Sequence, residues 1–151
     1  MKTKTILISL CILCSSMGFA QNKLFDRYAE MDNVTSVYIS KAMFRMMSNI
    51  DKVGVNMMNL KGKIESLQLL TAENKERTTQ MKRDFSQLVS SNHEELMRVK
   101  DKDSNIRFYA DIKGDLIKEL IMLIDGNNNY TAILITGNFT IKDIQDLMEE
   151  N

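Results

Sequence analysis

The stretch Leu116 to Asp125, Leu-Ile-Lys-Glu-Leu-Ile-Met-Leu-Ile-Asp, constrains the fold more than any other part of the chain. Read with period two, Leu116, Leu120, Met122 and Ile124 share one face, and Ile117, Ile121 and Leu123 the other. A strand apolar on both sides is expected in the middle of a sheet, covered from both directions. Gly114-Asp115 precedes it and Gly126-Asn127-Asn128-Asn129 follows, so turn chemistry brackets it. The same residues also fit a helical template, in which a crossover helix would join two parallel strands. Ten residues is near the minimum for such a crossover, and the neighbouring segments read as strands, so the strand is the better reading. Lys118 and Glu119 are left, one per face, and each must reach solvent or find a partner.

The rest of the chain supplies material to pair with this element and cover it. Leu24, Phe25, Tyr28 and Met31 have helical spacing, and Val34 to Ser40 is rich in β-branched and aromatic residues, as a strand requires. Ser40 is placed to cap a short helix, with Ile39 and Phe44 as a hydrophobic staple and Met43, Phe44, Met46 and Met47 as its apolar stripe. A loop is expected around Gly54, and Val55 to Gly62 is compatible with a further helical turn. Ile64 to Thr71 reads as a strand. Asn74 to Ser91 reads as a long helix, with Met81, Phe85, Leu88 and Val89 recurring on one side and Glu73 and Glu76 near its positive end.

Four strands are then expected: Glu94 to Lys100, the segment holding Ile106, Phe108, Ala110 and Ile112, the opening stretch, and Tyr130 to Thr136. The short turns between them suit an antiparallel meander. Thr140 should cap a last helix with Asp143 at its third position, Phe139 and Ile144 as a staple, and Ile141, Ile144, Leu147 and Met148 as its stripe. The expected class is α+β: a mostly antiparallel sheet with a C-terminal four-strand meander, packed by the long middle helix and the C-terminal helix.

Residues 1–20 stand apart. Lys2 and Lys4, the apolar run Ile6 to Leu13, and Gly18-Phe19-Ala20 have the layout of a cleavable signal peptide, which leaves 21–151 as a single domain. A lipoprotein signal needs a small residue before its cysteine, whereas Leu10 precedes Cys11 and Leu13 precedes Cys14. Cleavage after Ala20 removes both cysteines, and with them any disulfide, thiol nucleophile or thiolate metal site. It also leaves 18 basic against 20 acidic residues, a balance with no general attraction for nucleic acid or anionic lipid. No transmembrane segment is expected in 21–151.

Several blocks together resemble a bacterial family of unknown function, DUF 4252. They are Val34-Thr-Ser-Val-Tyr-Ile-Ser-Lys-Ala-Met-Phe-Arg-Met-Met47, Lys61-Gly-Lys-Ile-Glu-Ser-Leu-Gln68, Glu95-Leu-Met-Arg-Val-Lys-Asp101, Glu119-Leu-Ile-Met-Leu-Ile-Asp125 and Gly137-Asn-Phe-Thr140. The resemblance implies an exported envelope protein of compact α+β fold and carries no activity with it. Some members of the family look like lipoproteins.

Each candidate for chemistry has a plainer explanation. His93 is the only histidine, too few ligands for a metal site, and is expected at a strand start or on the surface. Ser90 and Ser91 lie near it, but no Gly-x-Ser-x-Gly elbow accompanies them. Five methionines fall between Met43 and Met58, and Met43, Met46 and Met47 could hold Cu(I) through their thioethers. Their spacing is that of an ordinary core stripe, and an adaptable groove for a partner is a third use. Glu94-Glu95 and Glu149-Glu150 are adjacent, so their side chains diverge, and the run Arg98 to Asp103 reads as a solvated hairpin end. No phosphate loop or dinucleotide fingerprint is present. No catalytic, cofactor-binding or metal residue is therefore singled out, and no cofactor is expected. The expected role is an exported binding or interaction domain engaging another envelope protein or a small ligand. The alternatives are a hydrolase-type enzyme with a site assembled from scattered residues, or a Met-based Cu(I)-handling protein.

Overall fold

The computed structural model describes residues 20–46 and 62–149. The expected leader 1–20, apart from Ala20, lies outside these residues, as do Met47, the loop at Gly54 and the segment from Val55 up to Gly62. The elements are α1 (Ala20–Ala29), β1 (Val34–Ser40), α2 (Lys41–Met46), β2 (Ile64–Ala72), α3 (Lys75–Asn92), β3 (Glu94–Lys100), β4 (Ser104–Lys113), β5 (Leu116–Gly126), β6 (Tyr130–Thr140) and α4 (Ile141–Glu149). All six strands form one antiparallel sheet in the order β1-β2-β6-β5-β4-β3, giving the α+β class.

Local chemistry explains the element ends. The Asn74 side chain accepts from the Glu76 and Arg77 amides at the start of α3. At the start of α4 the Asp143 amide donates to Thr140 Oγ1 at 3.2 Å and the Thr140 amide to Asp143 Oδ2 at 2.7 Å, a reciprocal cap. The Met43 amide donates to Ser40 Oγ at 3.3 Å, and Ile39 and Phe44 join one apolar cluster, as a staple does. The β4–β5 hairpin turns through Gly114, whose φ of 64° suits a residue without Cβ.

The main core lies between one face of the sheet and helices α1 and α3. Phe25 and Tyr28 of α1 meet Met81, Phe85 and Val89 of α3 over Leu70, Ile121, Leu123, Ala132 and Leu134. Phe25 and Phe85 stack edge-on with centroids 4.9 Å apart. A smaller cluster closes one end of the opposite face, where Phe44 of α2 and Ile144 of α4 sit over Ile117, Leu120, Ile135 and Phe139. The side chains of Leu147 and Met148 lie outside the described residues.

β5 is the central strand the sequence points to, but its two faces differ. Ile121 and Leu123 are buried under the helices, whereas Leu120, Met122 and Ile124 are only half-buried and Leu116 is exposed. The register shift between Ile117 and Glu119 breaks the expected alternation, so Ile117 leaves the face of Ile121 and Leu123 and is buried with Leu120 in the smaller cluster. The expectation of cover from both directions is corrected: among the described residues only the cluster under α2 and α4 covers that second face. A second correction concerns β4. Ile106, Phe108, Ala110 and Ile112 alternate in the sequence with Arg107, Tyr109, Asp111 and Lys113, a pattern that expects a half-buried strand with the apolar set towards the core. The register instead aligns Tyr109 with buried Ile121, under the helices, and Phe108 with half-buried Met122 on the other face. Alternation fixes which residues share a side; it does not say which side the helices take.

Candidate functional site: the uncovered face of the sheet

Because all six strands pair, the register defines rows across the sheet. Val37 of β1 stands opposite Leu69, then come Ile133, Met122, Phe108 and finally Met97 of β3. This is an unbroken apolar row from one edge to the other, roughly 24 Å across at the usual strand spacing. The row on one side is Thr35, Thr71, Thr131, Ile124, Ile106 and Val99; on the other side it is Ile39, Leu67, Ile135, Leu120, Ala110 and Glu94. Among these positions only Glu94, at a corner, carries a charge. Among the described residues α2 and α4 reach the last row alone. The other two rows are half-buried or exposed, with Val37 at 43 % and Met97 at 40 %. A contiguous exposed apolar surface rimmed by polar residues is a candidate contact site.

The polar features lie elsewhere. A cleft of about 450 Å³ opens between the start of α3 and the β5–β6 turn, lined by Glu73, Lys75, Lys82, Asp125 and Asn127. A second of about 150 Å³ holds Lys82, Arg107, Tyr109, Asp125 and Tyr130 beside α3. A third, about 450 Å³, lies between α1 and the strands at Asp26, Tyr38, Ser66 and Gln68. The carboxylates whose pKa departs from the ordinary range all move down. Arg98 lowers Glu95, the Asp103 and Ser104 amides lower Asp101, and Lys63 followed by the Thr140 amide takes Asp143 to about 2. These groups are held as anions, the opposite of a carboxyl kept protonated to act as an acid. Tyr28 rises to about 12 through burial and its bond to Asp84, and Tyr130 rises through burial.

His93 is not at the surface. It follows α3 and precedes β3, as expected, but its side chain is fully buried, with Nε2 3.4 Å from Glu119 Oε2. Ser90 and Ser91 donate to the carbonyls of Gln87 and Leu88 in their own helix. Enclosed in this way, the imidazole has no face open to a substrate. Lys118 finds its partner in Asn138 Oδ1, and Glu95 is clasped by Arg98 at 2.8–2.9 Å. The stripe expected in α2 is corrected as well. Phe44 alone is buried, while Met43 is 47 % and Met46 76 % exposed, so these two methionines are not core. Among the described residues no group of three or more His, Cys, Asp or Glu side chains is placed to hold a metal ion. No described helix is long and apolar enough to cross a membrane.

Sequence reading overlooked the face because it treated each strand alone. The signal was present: alternate residues of every strand carry one apolar set in excess of what two short helices can cover.

The protein is thus an α+β domain with α1 and α3 packed on one side of an antiparallel sheet, while among the described residues only α2 and α4 reach the other side. Its sequence matches the family model described as Domain of unknown function (DUF4252) over residues 28–147, and the chain belongs to that family. No curated protein and no solved structure matches it.

Proposed function

We propose that this is an exported, non-enzymatic interaction domain of the bacterial cell envelope, and that it binds another protein through the uncovered face of its sheet. The single observation that carries this reading is the uncharged row from Val37 to Met97. A small ligand would need a concave site that encloses most of its surface. The row has no walls, so it suits the apolar side of a partner's helix or sheet. The layout of residues 1–20 supports export, and the lowered carboxylates and enclosed His93 weigh against the hydrolase alternative.

The test uses a photo-crosslinking residue at Met122, at the centre of the row, and another at exposed Lys142 of α4 as control, in envelope extract. One partner should be captured from position 122 and not from 142, and Phe108→Lys in the same protein should abolish that capture. Equal capture at both positions would argue against the face.

A further inference from the structure

The two edges of the sheet are built differently. β3 carries Glu94, Glu95, Arg98 and Lys100 among its seven residues and breaks register between Glu95 and Met97. Charges and bulges of this kind keep a free row of backbone N–H and C=O groups from recruiting another strand. β1 has neither. Val34–Ser40 contains no charged residue and no proline, and its register with β2 runs through all seven pairs without a shift. Thr35 to Tyr38 are exposed, Tyr38 at 64 %, and β2 is the only strand beside it among the described residues.

We propose that β1 pairs antiparallel with β1 of a second copy of this chain, about a two-fold axis at Val37, so that two domains share one continuous sheet. The strand is complementary to itself in that register. Val37 faces its own copy, Thr35 faces Ile39, Ser36 faces Tyr38, and Val34 faces Ser40. Every pair on the open face is β-branched, a favourable cross-strand combination, and on the helix side a large Tyr38 meets a small Ser36. No like charges meet. A seven-residue edge buries less than the roughly 800 Å² per partner of a standard stable interface. The dimer therefore depends on concentration. It would join the two apolar rows end to end, from Met97 of one copy to Met97 of the other.

Sedimentation velocity on the purified full chain, from about 1 to about 100 µM, reads this directly. Wild type should pass from monomer to dimer across the range. Val37→Lys should stay monomeric throughout with an unchanged circular dichroism spectrum, while Val99→Lys on the other edge and Met122→Lys on the open face should dimerise as wild type does. Wild type that remains monomeric, or Val37→Lys that dimerises normally, overturns the proposal. Loss of the dimer in Met122→Lys or Val99→Lys overturns it too, in favour of face stacking or of the β3 edge. Should Val37→Lys fail to fold, amide exchange on wild type decides: β1 amides must be more protected at the high concentration than at the low. Equal protection at both overturns the pairing. Failure here leaves capture through Met122 untouched, and failure of that capture leaves the dimer untouched.

Discussion

His93 Nε2 lies 3.4 Å from Glu119 Oε2, and His93 Nδ1, His93 Nε2 and Glu119 Oε2 are all buried without a hydrogen bond. The two side chains tie the start of β3 to the middle of β5 across β4. Removing one leaves the other buried and alone, and His93→Ala also opens a cavity. It should destabilise the fold by about 3 kcal/mol. Glu119→Gln keeps the shape and provides an N–H for the imidazole, so it should cost less than about 1 kcal/mol. Urea unfolding of both variants at pH 7 gives the comparison, and an equal loss in Glu119→Gln, which changes no volume, would show that the imidazole needs the carboxylate itself.

Asp143 supplies an acid-side dependence. Lys63 and the Thr140 amide hold its folded pKa at about 2, below the unfolded value of about 3.9. A lowered folded pKa means that the stabilisation is present above pH 4 and is lost as pH falls from about 4 towards 2. Unfolding midpoints of wild type and Asp143→Asn should therefore differ at pH 6 and converge by pH 2. A gap that persists at pH 2 would place the effect in packing instead.

Tyr28 supplies the opposite dependence. Its hydroxyl donates to Asp84 Oδ2 at 2.7 Å, and burial, with Asp84 second, raises its pKa from 10.0 to about 12. A raised folded pKa gives stabilisation that is full below pH 10 and lost as pH rises from 10 to 12. Tyr28→Phe should cost about 1 kcal/mol at pH 8. It should also lose less stability than wild type between pH 10 and 12, as guanidinium unfolding at each pH would reveal.

Adjacent residues of β5 should respond very differently to truncation. Ile121 is fully buried against α3, and Ile121→Ala should cost about 3 kcal/mol. Met122 faces the open rows, and Met122→Ala should cost about 1 kcal/mol or less. Thermal unfolding of the two variants measures how far the second face is covered. Equal costs would mean that something seals it in solution.

Much of the fold was legible because local signals agreed with one another. Ser40 and Thr140 stand where caps are needed, and Gly114 lies in an expected turn. The central place of β5 followed from seven apolar residues on two faces. What local reading missed depends on partners far away in sequence. Whether Phe108 or Tyr109 lies under a helix is decided by where α3 docks, and β4 contains nothing that records it. His93 was misplaced for a similar reason, since its burial comes from the strand carrying Glu119. Met43 and Met46 show the limit of spacing: a six-residue helix seats one large side chain, and Phe44 takes that place.

Every sheet pairing but one joins strands that follow each other in the chain. The exception is β2 with β6, where Ala72 meets Tyr130 and Ile64 meets Gly137. Ser66 and Thr136 hydroxyls bond across this seam at 2.7 Å on one face, and Thr71 and Thr131 at 3.0 Å on the other. Gly137 leaves the space for it, since a Cβ there would overlap the Lys63 carbonyl oxygen and the Phe139 ring. Two local hairpin systems can thus assemble quickly and independently, but the sheet is complete only when a long loop closes at this seam. Long-range pairing of this kind is slow. The seam is where the folding barrier belongs, and until it closes both apolar faces stand open to whatever else is unfolded nearby.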